Sequence, residues 1–198
     1  MNPLFRAVGI IGITLIGAVA LGQLQGCVGG IIAAGGAGAA VAVDRRSAGT
    51  IVDDEAIELK ISAAINEDKD IGEKAHINIT SFNYVVLLTG EAPSEAMRDH
   101  IVDIARHVEK VRRVYNEIVV AEPTTVKSRS EDAWITGKVK AKLLGMKDVS
   151  AANIKVVTEN RNVYLMGIVS HAEADAAIEA ARFVDGVARV VTLFEYLD

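Results

Sequence analysis

Residues Asp54 to Val120 recur as a pattern at Asp132 to Leu197, with an offset of 78 residues at the start and 76 at the end. Two copies of about 65 residues restrict the fold to a small unit built twice, because a period of that length must close a core within each copy or between them. Ile57, Ile61 and Ile65 align with Ile135, Val139 and Leu143, an i, i+4, i+8 apolar stripe that predicts an amphipathic opening helix in each copy. Asp54 and Asp132 stand where an N-cap is expected. Ile77, Ile79, Val86 and Leu88 align with Ile154, Val156, Val163 and Leu165, alternating as in half-buried strands. Phe82-Asn83 and Glu159 to Asn162 supply the turns of two hairpins.

Gly90 and Gly167 close the second strand of each copy at equivalent places and read as structural glycines, where a Cβ would obstruct the backbone or its neighbour. Ser94 and Ser170 cap a second helix, the latter in the capping box Ser170-His171-Ala172-Glu173. A last strand carries Val114, Ile118 and Val120, matched by Val190, Phe194 and Tyr196. The chain is therefore of the α+β class: two tandem α-β-β-α-β units, each a three-stranded sheet with two helices on one face. Units so small should pack on each other. The polar stretch Ala121 to Glu131 separates them.

Ahead of the repeats stands a segment of different character. Met1 to Arg6 carries one basic side chain, Ala7 to Leu21 is an apolar run, and both together have signal-peptide anatomy. The run is too short and too rich in glycine for a membrane-spanning helix, which needs about 20 apolar residues. Leu24-Gln25-Gly26-Cys27 follows at once and resembles the lipobox of bacterial lipoproteins, in which the cysteine is acylated and becomes the mature N-terminus. An ordinary secretory signal followed by a chance cysteine is the alternative. Val28 stands where an Asp would favour inner-membrane retention, so outer-membrane sorting is expected. Val28 to Val43 is uncharged Gly, Ala and Val, a tether near the bilayer surface. The resulting boundaries are 1–26 signal, 27–53 lipidated cysteine and tether, 54–121 first unit, 122–131 linker and 132–198 second unit.

Cys27 is the only cysteine, so no internal disulfide is available and the fold rests on packing. Formal net charge is −5, and Arg6 is the only charged side chain before Cys27, so the mature chain is more acidic still. That balance excludes a general nucleic-acid binder. His76, His100, His107 and His171 show no metal-ligand spacing, and no nucleophile motif or phosphate loop is present. Neither a metal nor an enzyme activity is expected; the only added groups are the diacylglycerol and N-acyl chain on Cys27.

Several strings carry a resemblance over nearly the whole mature chain: LQGC at 24–27, DRRSAGTIVDD at 44–54, VYNEI at 114–118, DAWITGKVKAKLL at 132–144 and VYLMGIV at 163–169. In this order, behind a lipobox, they are similar to the BON (bacterial OsmY and nodulation) domain family, within it to dual-BON outer-membrane lipoproteins. The resemblance implies a periplasm-facing lipoprotein that binds anionic phospholipid, supports outer-membrane integrity and is found at division sites. It also implies that the lipid-contacting surface lies on the opening helix of the second unit, here 132–144.

The residues themselves direct attention to the same helix. With Ile135, Val139 and Leu143 turned inward, Trp134, Lys138, Ala141, Leu144 and Gly145 share a flank whose counterpart in the first copy is Ala56, Lys60, Ala63 and Asn66. The first copy's helix is acidic, whereas the second carries Lys138, Lys140, Lys142 and Lys147. Trp134, Lys138, Lys140, Ala141, Lys142 and Leu144 are thus candidates for a phospholipid-docking surface, with Trp134 as interdomain core the competing reading. A protein-interaction adaptor for envelope assembly or peptidoglycan remodelling is the alternative function.

Overall fold

The computed structural model describes residues 44–197, so the signal, Cys27 and the Gly/Ala tether through Val43 lie outside the described residues. The first unit comprises α1 (Ala48–Glu67), a short α2 (Lys69–Lys74), β1 (His76–Phe82), β2 (Val85–Ala92), α3 (Glu95–His107) and β3 (Arg113–Val120). The second comprises α4 (Val126–Leu144), a 3-10 turn at Ala151–Asn153, β4 (Ile154–Glu159), β5 (Asn162–Val169), α5 (His171–Arg182) and β6 (Arg189–Tyr196). The sheets have strand orders β1-β2-β3 and β4-β5-β6. In each, the first pair is antiparallel and the second, bridged by α3 or α5, is parallel.

Both opening helices begin earlier than the sequence reading placed them, α1 inside the stretch assigned to the tether and α4 inside the assigned linker. Ser47 and Thr125 are the true N-caps, their side chains accepting from Thr50 N at 3.0 Å and Ser128 N at 3.3 Å. Asp54 and Asp132 are not caps. They lie inside the helices, buried, and reach across to the hairpin turns. Asp54 Oδ1 accepts from Tyr84 N (2.8 Å) and Ser81 Oγ (2.7 Å), and Oδ2 accepts from Asn83 N (2.8 Å). Asp132 accepts from Asn160 N (2.9 Å) and Arg161 N (2.8 Å). The first turn lies one residue later than the sequence suggested, at Asn83-Tyr84, and the second is shorter, Asn160-Arg161, with φ of 52° and 65°, and 49° and 64°. Paired left-handed residues define a type I′ turn, and the carboxylate behind each turn satisfies its free amides.

Ile57, Ile61 and Ile65 pack with Ile101, Val102 and Ala105 of α3 over one face of the first sheet. Ile135, Val139 and Leu143 pack with Ala174, Ala177 and Ala181 of α5 over one face of the second. A third core joins the two other sheet faces, where Phe82, Val85 and Leu87 meet Tyr164, Met166 and Leu193. The order of layers is therefore helices, sheet, sheet, helices. It explains why every residue of β2 is buried and why Val85-Val86-Leu87-Leu88 is continuously apolar, since a strand covered on both faces has no solvent side.

Gly90 and Gly167 sit within the second strands rather than at their ends, paired with Ile77 and Ile154. A Cβ on Gly90, where φ is +113°, would stand 1.9 Å from His76 O; one on Gly167 would stand 2.4 Å from Asn153 O. Close backbone approach explains both, and at Gly90 the left-handed conformation adds to it.

The segment preceding α1 is held by both units. Arg46 donates to Asp54 Oδ2 at 2.9 Å and its guanidinium lies 4.1 Å from the Phe82 ring centre, while Arg45 reaches the second unit through Ile168 O (2.8 Å) and both Glu173 oxygens (2.8 and 3.0 Å). The Arg45 guanidinium, together with the Ser170 backbone amide, holds the Glu173 carboxyl down at about 2.

Candidate functional site

Helix α4 exists because its apolar stripe covers the second sheet, and that commitment turns its other flank to solvent. Trp134 is 69% exposed and Leu144 75% exposed, so Trp134 is not part of the interdomain core. Lys140, Ala141, Lys142 and Gly145 are exposed beside them, and Lys138 is half-buried. All six candidate residues of the sequence reading thus lie on this helix, Lys138 with its ammonium 6.0 Å from the Trp134 ring centre. No Cβ contact would meet a side chain at Gly137, so the flank is open between Trp134 and Ala141.

The structure adds residues that a reading of one helix could not supply. Phe183, 66% exposed where α5 ends, lies 5.9 Å from the Lys142 ammonium and 5.0 Å from the Arg182 guanidinium. Arg161 comes from the β4–β5 turn. Its Nε donates to Gly186 O at 2.8 Å, while Lys138 Nζ donates to the adjacent carbonyl of Asp185. Both cations border a cleft of about 570 Å3, with Trp134 on its rim and Lys127 at its edge. Nothing in the sequence order announces that 134, 161 and 185 meet.

Electrostatics separate this face from the rest. Basic side chains elsewhere are largely committed, such as Lys110 to Asp53 (2.7 Å), Arg112 to Glu195 (2.7 Å), Lys155 to Glu58 (2.9 Å) and Arg189 to Glu117 (3.1 Å). On α4 and just beyond it, Lys127, Arg129, Lys138, Lys140, Lys142 and Lys147 have no carboxylate within 4.0 Å among the described residues. Exposed aromatic rings beside uncommitted cations form an arrangement suited to an interface between apolar matter and anionic groups. Among the described residues no three His, Cys, Asp or Glu side chains gather as a metal site, and no helix is long and apolar enough to cross a membrane. His100 and His107 are exposed on α3, the first 3.3 Å from Asp68 and the second bonded to Asp103 O.

Comparison with known proteins gives the arrangement its relatives. The BON domain profile matches residues 53–122 and 131–198, one match per structural unit. The outer membrane lipoprotein DolP of Haemophilus influenzae is 36% identical over 198 residues, covering all of this chain and 99% of that protein. A 21 kDa hemolysin of Actinobacillus pleuropneumoniae is 43% identical over 155 residues, 78% of this chain and 80% of its own length. The osmotically-inducible protein Y of Escherichia coli is 34% identical over 157 residues, 78% of each.

Proposed function

The chain belongs to the BON-domain family, with two such domains in tandem, and from that premise we propose that it is a periplasm-facing outer-membrane lipoprotein whose second domain docks on anionic phospholipid. Acylated Cys27 anchors it, and the docking supports outer-membrane integrity, with division sites as its place of action. The function is binding, without catalysis. The observation that carries this reading is the exposed Trp134 set among lysines that no carboxylate engages among the described residues. The indole suits the headgroup layer because it joins an apolar body to a polar N–H, and each lysine near an anionic surface contributes about 1 kcal/mol. Lys138, Lys140 and Lys142 together offset the repulsion of a mature chain more acidic than the full chain's formal charge of −5. The acyl anchor holds the protein nearby while α4 selects the lipid.

Co-sedimentation of the non-acylated mature chain with vesicles tests this. Wild type should follow phosphatidylglycerol-containing vesicles, release with rising salt and ignore phosphatidylcholine alone. Trp134→Glu should lose that binding with an unchanged melting curve; retained binding would place the site elsewhere. A second reading, a protein-interaction adaptor, is favoured by Val52 (67% exposed) and Leu59 (70% exposed), which stand on the outward face of α1. It requires affinity for a protein that is indifferent to lipid composition.

A further inference from the structure

We propose that the cavity between the start of β3 and the end of β6 binds a peptide carboxylate, with Arg113 as the residue that receives it and an acidic side chain or chain terminus of a protein partner as its source. The site does not involve α4. Duplication places equivalent residues at two ends of the domain interface. Arg113 and Arg189 open the third strand of their units, each paired with the first residue of the strand beside it, Val85 and Asn162. Glu117, four residues into β3, corresponds to Leu193, four residues into β6. Where β6 begins, Arg189 Nη2 donates to Glu117 Oε2 at 3.1 Å and the Tyr164 hydroxyl donates to the same oxygen at 3.2 Å. Where β3 begins, Arg113 and Leu193 instead line a cavity of about 180 Å3, so the counterpart of the Glu117 carboxylate is a hydrocarbon side chain.

The groups that hold a carboxylate at the first end recur at the second. Arg113 Nη1 donates to the Tyr115 hydroxyl oxygen at 3.0 Å, which leaves the hydroxyl proton to turn toward an anion. Arg113 has no carboxylate within 4.0 Å among the described residues. Glu195, which also lines the cavity, is engaged by Arg112 at 2.7 Å and by Asn83 Nδ2 at 3.1 Å. Two guanidinium groups against one carboxylate leave a single positive charge unbalanced, which a monoanion neutralises. A guanidinium beside a hydroxyl offers charge-assisted bonds to both oxygens of a carboxylate, and Val85 and Leu193 give the methylene stem of an acidic side chain an apolar wall. The neighbourhood suits a peptide. β3 is an outer strand of its sheet, and the free edge of such a strand offers amides and carbonyls to an extended chain whose acidic group enters beside it.

Titration of the full mature chain, followed by the NMR resonances of Arg113 Nε–H and the Glu195 backbone amide, tests this. N-acetylglutamate amide, with its carboxylate on the side chain, and N-acetylglycine, with a terminal one, are the probes; the tighter of the two identifies the source. At least one should shift both resonances saturably, and neutral N-acetylglutamine amide should shift neither. Arg113→Gln, at an exposed position, should weaken binding read at Glu195 about tenfold or more, the worth of a charge-assisted hydrogen bond, with the melting curve unchanged. Leu193→Glu supplies the carboxylate from within the chain and should abolish the response to added ligand; Arg113→Gln keeps the test decisive if that buried substitution unfolds the protein. No saturable shift with either carboxylate, an equal response to the neutral amide or to inorganic phosphate at the same ionic strength, or unchanged affinity in Arg113→Gln would overturn the site.

Discussion

At Gly167 the carbonyl oxygen of Asn153 occupies the space 2.4 Å from where a Cβ would stand, and this oxygen belongs to backbone that cannot rotate away. Gly167→Val should therefore lower the melting temperature by roughly 10 °C, as expected when a core strand must shift to admit a side chain. Thermal unfolding followed by circular dichroism measures it, and an unchanged midpoint would mean that β4 and β5 tolerate separation there. The position was legible in the sequence because the glycine recurs at the same place in both repeats. Its reason was not, because the obstructing oxygen comes from the preceding turn. Asp54 and Asp132 make the same point: their recurrence was visible, but their role in holding type I′ turns appears only when helix and hairpin meet.

Helix α5 is the element in which a local signal and a distant contact share one side chain. Glu173 completes the capping box with Ser170 and also receives the Arg45 guanidinium from the segment ahead of α1. Removing its charge while keeping its shape, as in Glu173→Gln, loses charge-assisted bonds of roughly 2 kcal/mol in sum and should lower the melting temperature by about 4–8 °C. The carboxyl is depressed to about 2 from an ordinary value of 4.5. Its contribution is therefore complete above pH 4.5 and disappears as pH falls toward 2. Wild type and Glu173→Gln should then converge in stability across that window, and parallel stability curves down to pH 2 would show that the ion pair contributes nothing. The capping box was readable from Ser170 to Glu173; Arg45 as a partner, more than a hundred residues earlier, was not.

The whole molecule joins a proposed lipid anchor to two domains stacked through their sheets. Cys27→Ala should yield a chain that no longer fractionates with the outer membrane and is no longer processed after Gly26. Membrane fractionation and the mass of the mature N-terminus measure this; retention together with normal processing would contradict the lipoprotein reading. Stacking also buries charge. Glu159 lies between the sheets, accepting from Asn78 at 2.7 Å and Thr89 at 3.2 Å, and burial raises its carboxyl above the ordinary range, with Glu91 nearby adding to the effect. Each domain alone would expose these carboxylates to water.

Periodicity within the chain determined the unit, its duplication and the helix faces turned inward, because each depends on side-chain spacing along one element. Pairing of distant elements was decided only in three dimensions. A long apolar run in β2 is consistent with any doubly covered strand, and only the second sheet identifies what covers it. Trp134 on the α4 flank could have faced either the other domain or solvent; the choice depends on which sheet faces stack, since the domains bury their sheets together and leave both helical layers outside. The cleft joining Trp134, Arg161 and Asp185 was beyond sequence reading for the same reason: its walls come from a helix, a turn and a loop that share no local pattern.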